Sequence, residues 1–151
     1  MIKQTTDEKH YLNLAGEYGV CSELAKRGIM ANLTFGHHKA ADVLVVNTNS
    51  KKAVIVEVKT TRSNRVVTSF FQKYKTPTTA PAPDFWIIVQ IGENNLSQFY
   101  ILSHQEMAQA QMQRNKMSEW KEVKGGVDNI LIEQLESTYK NNWQKLLDAI
   151  A

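Results

Sequence analysis

Cysteine is almost absent from this 151-residue chain, and its single example, Cys21, excludes an internal disulfide. Long apolar runs are also missing and the first residues are mostly polar, so we expect neither a membrane-spanning helix nor a signal peptide. Internal repeats and low-complexity tracts do not appear. With 42% hydrophobic residues and a net charge of +3, these absences predict one cytoplasmic domain over residues 1–151 with an ordinary hydrophobic core.

Acidic residues are missing between positions 59 and 83, where five basic and three aromatic side chains occur: Lys59, Arg62, Arg65, Lys73, Lys75, Phe70, Phe71 and Tyr74. Residues 1–83 carry 12 basic against 6 acidic side chains, whereas residues 84–151 carry 6 against 9. This pattern suits a nucleic acid, and we expect the four basic residues after Lys59 to contact phosphates. A solvated basic loop is the alternative. His37 and His38 are further candidate contacts, although exposed loop histidines usually have no such role.

Two apolar segments, residues 43–46 and 53–58, flank a polar turn at residues 47–50. Their β-branched composition predicts buried strands, and the turn residues between them predict a hairpin. If the last two turn residues alone form the loop, counting outward along both strands places Asp42 opposite Glu57.

This hairpin would carry three charged side chains on one face. The Cβ atoms of Asp42 and Glu57 would lie about 5 Å apart, and their charges would repel unless a cation neutralised them. Lys59, two residues after Glu57, points to the same face. Oxygen ligands of this kind suit Mg²⁺ or Mn²⁺, which complete their shells with water and substrate phosphate. Solvent-facing charges at strand ends are the alternative, but unpaired charges among apolar runs need a reason.

The first predicted helix supplies a third acid. Thr5 and Glu8 form a capping-box pattern at its start, and Gly28 is a stop signal. The core stripe expected between these signals consists of Leu14, Tyr18, Cys21, Leu24 and Ala25. Glu17 lies at the edge of this stripe, which would turn it toward the strands. A surface glutamate is the alternative for this residue taken alone.

The second half of the chain repeats the strand pair. Residues 84–91 and 98–102 predict two strands joined by a turn at Gly92. Ser103 and Glu106 predict a capping box that opens a helix ending near residue 116. Residues 118–132 are interpreted as a loop with a short apolar segment, and residues 139–150 predict a last amphipathic helix.

This order of helix, short strand, hairpin with Asp and Glu-x-Lys, and then a strand pair and helix resembles the PD-(D/E)XK nuclease superfamily, the restriction-endonuclease-like fold. The residues that carry the resemblance are Gly16-Glu17, Asp42, and Glu57-Val58-Lys59 followed by Thr60-Thr61. It extends from about Leu14 to Leu102, a layout shared by compact homing endonucleases and Holliday-junction resolvases. Ala41 replaces the proline of the superfamily name, and residues 72–74 do not match the Gln-x-x-x-Tyr pattern of one branch.

The resemblance implies an α/β fold with a central mixed β-sheet, an αβββαβ-type core, and flanking helices. It also implies metal-dependent hydrolysis of DNA phosphodiesters, in which Asp42 and Glu57 hold Mg²⁺ or Mn²⁺. Glu17 would bind a metal directly or through water, the Val58 carbonyl would be a further ligand, and Lys59 would orient the attacking water. Because one site cuts one strand, cleavage of a duplex implies a homodimer.

Two other functions are compatible with parts of this pattern. A nuclease fold without catalysis could serve as a DNA-binding or interaction module, although such members typically lose a motif residue and this chain keeps Asp42, Glu57 and Lys59. A metal-dependent hydrolase of some other phosphate compound is disfavoured, because the chain has no glycine-rich phosphate loop and carries the basic segment.

Overall fold

The computed structural model describes residues 3–34, 42–74, 81–120 and 127–151. In chain order its helices and strands are α1 (Thr6–Lys26), β1 (Met30–Leu33), β2 (Val43–Asn47), β3 (Lys52–Thr61), β4 (Arg65–Val67), α2 (Phe70–Lys73), β5 (Phe85–Ile91), β6 (Ser97–Ser103), α3 (His104–Arg114), β7 (Asn129–Leu131) and α4 (Trp143–Ala149). No helix in the described ranges is long and apolar enough to cross a membrane.

Five strands form one mixed sheet in the order β1, β2, β3, β5, β6. Strands β3 and β5 run parallel, and the other neighbouring pairs of this sheet are antiparallel. Because parallel neighbours need a crossover connection, the chain leaves the sheet between β3 and β5, and α2 lies in that connection. The predicted central mixed sheet flanked by helices is confirmed.

Local capping signals place the helix ends. The Thr5 hydroxyl accepts from the Glu8 N–H at 3.2 Å, and Glu8 Oε2 accepts from the Thr5 N–H at 2.7 Å, which is the predicted capping box of α1. Ser103 and Glu106 form the same reciprocal pair at the start of α3. Gly28 follows the end of α1 with a φ of +75°, a backbone conformation that glycine adopts without steric cost.

The buried face of α1 differs from the predicted stripe. Tyr18 is 58% exposed and Ala25 is exposed, whereas Gly16 and Val20 are buried. A Cβ placed on Gly16 would collide with Thr60 Oγ1 and come within 2.9 Å of Thr60 Cβ. The helix is therefore seated on β3 through a glycine. The predicted stripe is confirmed at Leu24 and Cys21 but was wrong at Tyr18 and Ala25, because apolar spacing assumes contact through large side chains.

Both faces of the sheet are buried, and alternate residues of β3 point to opposite faces. One core cluster contains Val58 together with residues of α1 and α4. The other contains Trp86 and Ile88 with residues of α2, α3, β4 and β7. In the parallel ladder Trp86 pairs with Glu57 and Ile88 pairs with Lys59. Glu57 and Lys59 therefore lie on the second face, opposite to α1.

Three details of the predicted elements are corrected. The hairpin loop has four residues, 48–51, rather than the predicted two. Because the extra residues are one on each side, the predicted register of the strands is unchanged. Strands β4 and β7 pair in a separate two-stranded sheet, of which only the apolar segment of β7 was expected. Helix α4 begins at Trp143 rather than near residue 139, because residues 137–139 form a separate 3₁₀ turn.

Candidate active site

The ladder between β2 and β3 brings Asp42 to Glu57. Val43 and Val56 form the last pair of this ladder, and extending its register by one step would set Asp42 opposite Glu57. The Asp42 N–H donates to the Val56 carbonyl at 3.0 Å, which attaches Asp42 to the end of the ladder. Its side chain turns to β3, where Oδ2 accepts from the Val58 N–H at 2.8 Å. Both carboxylates therefore lie near the end of the β2–β3 ladder, where the two strands separate.

Glu57 is a buried carboxylate, only 7% exposed, and an unneutralised charge is costly to bury. Its Oε1 lies 3.2 Å from the Lys59 Nζ and 3.1 Å from the Lys73 Nζ. Lys59 comes from the same face of β3, whereas Lys73 is the last residue of α2. One carboxylate oxygen therefore contacts two ammonium groups, and the sequence had associated Lys73 with substrate phosphates only.

Tyr74, directly after α2, is a site residue that sequence reasoning missed. Its ring packs in the buried aromatic cluster on this face, 4.8 Å from the His104 ring between centroids. Burial, then the Glu57 charge and the Asp42 charge, raise the pKa of Tyr74 to about 12. The phenol therefore keeps its proton at neutral pH and remains a donor in the field of both carboxylates. Its place beside Lys73 was the available signal, but its aromatic neighbours made a core role the simpler interpretation.

Contacts from distant parts of the chain hold α2, and with it Lys73, at the site. The Asp128 carboxylate, just before β7, accepts from two N–H groups at the start of α2 at 2.9 and 3.3 Å. It therefore caps this short helix. The buried Gln111 of α3 accepts from the Thr68 hydroxyl and donates to the backbone carbonyls on either side of Asp128. The position of Lys73 thus depends on β7 and α3.

The donor atoms at the separated strands are oxygens. The N–H and C=O of one strand residue share a side, and the Val58 N–H is bound to Asp42, so the Val58 carbonyl also points to the β2 side. Two carboxylates and a carbonyl match the hard ligands that Mg²⁺ and Mn²⁺ prefer. Within the described ranges, no group of three or more His, Cys, Asp or Glu side chains converges as a metal cage. An ion here would take its other ligands from water and substrate.

Glu17 is carried by α1 on the face of the sheet opposite to Glu57. It follows Gly16, the residue through which α1 meets Thr60, and its side chain is half-buried. Burial, and then the charge of Glu17, raise the pKa of the Cys21 thiol one turn further along the helix. The approach of α1 to Thr60 brings Glu17 near the end of β3, and its part in metal binding stays a prediction.

The predicted phosphate contacts fall into separate groups. Arg62 lies in the exposed turn after β3, where its Nη2 donates to the Asn95 side chain at 3.1 Å, and Arg65 is the exposed first residue of β4. Lys73 instead contacts the buried carboxylate, with its side chain 45% exposed. Three further candidates lie outside the described residues: His37, His38 and Lys75.

Comparison with known proteins identifies the architecture. No family model matches the chain, and no curated protein matches it. Among solved structures it is similar to a bacterial homing endonuclease, I-Ssp6803I, over 97% of this chain and 94% of that one, with a TM-score of 0.59 and 14% sequence identity. The chain has a nuclease-like fold. At this identity the likeness concerns the backbone, and the roles of individual side chains rest on their own geometry.

Proposed function

We propose that this protein is a metal-dependent DNA endonuclease of the PD-(D/E)XK type, acting through Asp42, Glu57 and Lys59. The observation that carries the proposal is the buried Glu57 carboxylate, 3.2 Å from the Lys59 ammonium and one ladder step beyond the Val43–Val56 pair that leads to Asp42. The full-length similarity to a homing endonuclease supports this class of reaction.

The two carboxylates and the Val58 carbonyl would hold Mg²⁺ or Mn²⁺. When bound, such an ion supplies positive charge beside the phosphate and lowers the pKa of a coordinated water. Lys59 donates to the attacking water and to the phosphate oxygens that gain charge. The water oxygen bonds to phosphorus as the opposite P–O ester bond breaks. The water proton leaves to solvent, and the departing oxygen takes up a proton, so that a phosphomonoester and a hydroxyl result.

Lys73 acts as a positioning residue for Glu57 in this proposal. Its side chain is 45% exposed, whereas that of Lys59 is 23% exposed, so Lys73 is the ammonium that can leave the carboxylate when a metal ion arrives. Released from Glu57, it becomes free to contact a substrate phosphate. Glu17 would assist metal binding from α1, and a homodimer would supply the second site needed to cut both strands of a duplex.

A catalytically silent nuclease-fold module that binds DNA is the second candidate. One observation favours it: the carboxylates of Asp42 and Glu57 are matched in number by the ammonium groups of Lys59 and Lys73. The cluster is therefore electrically balanced and can be stable without a metal ion. The two candidates differ in whether cleavage occurs, and in whether it depends on a divalent ion.

The test is cleavage of supercoiled plasmid, linear duplex and four-way junction DNA in Mg²⁺, Mn²⁺ or EDTA. The wild type is compared with Asp42→Asn and Lys59→Met, and with Lys52→Met as a matched control, because Lys52 is exposed at the start of the same strand. We expect metal-dependent cleavage by wild type and control, and a loss of about 10²-fold or more in both site variants.

Equal cleavage by Asp42→Asn and wild type would overturn the assigned site. If wild-type protein binds these DNAs but cuts none of them in either metal, the silent module becomes the better description. The preferred substrate of an active enzyme would distinguish an endonuclease of linear duplex from a junction resolvase.

A further inference from the structure

A broad groove of about 780 Å³ opens between the first residues of α1 and the end of β3. Five basic side chains line it: Lys3, Lys9, Lys59, Arg62 and Arg65. Its other lining residues are uncharged, so no carboxylate among the described residues faces the groove. The groove joins residues that are far apart in the sequence, and Lys3 and Lys9 have no part in the site described above.

Among the described residues, most basic side chains of this groove have no acidic partner, whereas two other clusters of charge on the protein are paired. Glu23 pairs with Lys26 and Arg27 at the other end of α1, and Glu106 pairs with Lys145 between α3 and α4. In contrast, within the described part of the chain no carboxylate oxygen lies within 4.0 Å of Lys3, Lys9, Arg62 or Arg65, and only Lys59 has an acidic partner. Like charges gathered in a concave surface concentrate a polyanion there.

The N-terminus of α1 does not itself provide an anion site. The capping box between Thr5 and Glu8 occupies the N–H groups of both residues with side-chain oxygens. The Glu8 carboxylate also places a negative charge at this end of the helix dipole. Binding in the groove therefore depends on the basic side chains rather than on backbone N–H groups, and it should respond to single charge changes.

Lys59 connects the groove to the candidate active site. It lines the groove and also contacts Glu57 at 3.2 Å. A chain of phosphates lying in the groove would therefore pass Lys59, the residue that joins the groove to the Glu57 carboxylate. Arg62 and Arg65 would contact it on the far side of Lys59, and Lys3 and Lys9 would contact it from α1.

We propose that this groove binds the sugar–phosphate backbone of the cleaved nucleic-acid strand, with Lys3 and Lys9 as phosphate contacts that complete the surface formed by Arg62 and Arg65. The inference rests on the proposed function for the reaction at Lys59, but the binding itself requires neither metal nor cleavage. Lys73 is not among the residues that line this surface.

The test is the salt dependence of DNA binding in EDTA, measured by fluorescence anisotropy with a labelled duplex. Wild-type protein is compared with the double variant Lys3→Gln and Lys9→Gln, and with Lys26→Gln as a control. Lys26 lies at the opposite end of the same helix and is exposed. Each lost phosphate contact should lower the slope of log K against log salt by about 0.9, so the double variant should lose roughly 2 in slope.

Lys26→Gln should keep the wild-type slope, and the helical circular dichroism of all three proteins should be the same. An unchanged slope in the double variant would overturn the inference. This result is separable from failure of the proposed function. If the groove variants lose DNA binding while the wild type cuts no DNA, the groove binds DNA but the proposed nuclease activity fails. If the wild type cuts DNA and the groove variants bind it normally, the groove inference fails and the proposed nuclease activity is unaffected.

Discussion

Replacement of Gly16 by alanine tests the contact that seats α1 on the sheet. The new methyl group would collide with Thr60 Oγ1 and would lie 2.9 Å from Thr60 Cβ and 3.1 Å from its Cγ2. Rotation of the threonine side chain leaves the Cβ contact unchanged, and Thr60 is fixed in a central strand paired with Val89 of β5. The helix would therefore have to move outward, which would loosen the packing of Val20 against the core.

Two opposing effects determine how much Gly16→Ala changes the free energy of unfolding. Alanine is favoured over glycine inside a helix by about 1 kcal/mol. Overpacking of a well-packed interface costs about 1–3 kcal/mol or more. We expect Gly16→Ala to lower the free energy of unfolding by about 1–2 kcal/mol after the helix gain is included. The matched variant Gly19→Ala places its methyl group 3.5 Å from the Phe99 ring, an ordinary contact distance. It should raise the free energy of unfolding by up to about 1 kcal/mol.

Urea unfolding followed by circular dichroism measures both variants, and equal m-values would show that only stability has changed. The two should differ by about 1–3 kcal/mol, which corresponds to roughly 2–12 °C in melting temperature for a domain of this size. Equal stability of Gly16→Ala and Gly19→Ala would refute the close approach of α1 to β3. If Glu17 assists the reaction, Gly16→Ala should also reduce cleavage, while Gly19→Ala should not.

Three further predictions concern the surroundings of the site. Lys73→Met should lower the Mn²⁺ concentration for half-saturation, because it removes a cation 3.1 Å from Glu57 that competes with the ion. Asp128→Ala should lower the free energy of unfolding by about 1 kcal/mol in a urea titration, because it uncaps α2. Burial lowers the pKa of His104 below its usual 6.5. The unfolded chain therefore binds that proton more tightly than the folded protein does. The free energy of unfolding should fall as the pH drops from 6.5 through the folded-state pKa, and His104→Asn should flatten this dependence in urea titrations.

Each of these predictions has a contrary result. Unchanged Mn²⁺ binding in Lys73→Met would show that Lys73 and the metal ion do not share Glu57. Wild-type stability of Asp128→Ala would show that α2 needs no cap from β7. An identical pH dependence in His104→Asn would assign the acid sensitivity to other groups.

Short-range rules were sufficient for several parts of this fold. The capping boxes at Thr5 and Ser103 depend on residues three positions apart, which the sequence shows directly. The pairing register of β2 and β3 was predicted from the hairpin. The observed loop is longer than the predicted one by one residue on each side, so the register is the same. The apolar run of β5 was visible because a strand buried on both faces is apolar throughout. The runs of β2 and β3 were equally visible, although Leu44 and Ala53 are exposed.

Other parts depend on contacts that no local pattern contains. Gly16 defines the buried face of α1 through the space that it leaves for Thr60, not through apolar spacing. Lys73 reaches Glu57 because Asp128, far along the chain, caps the short helix that ends at Lys73. The basic groove likewise joins the start of α1 to the end of β3. Sequence composition indicated the charge, but only the fold shows which charges share a surface.

The central claim is that Asp42 and Glu57 form one divalent-metal site, and it can be tested without DNA. Electron paramagnetic resonance of free Mn²⁺ measures binding at protein concentrations high enough for a weak site. Wild-type protein and Glu93→Gln, a control at an exposed loop acid, should bind the ion with equal affinity. Asp42→Asn and Glu57→Gln should each lose this binding. Equal binding by all four proteins, or binding by none, would contradict the account.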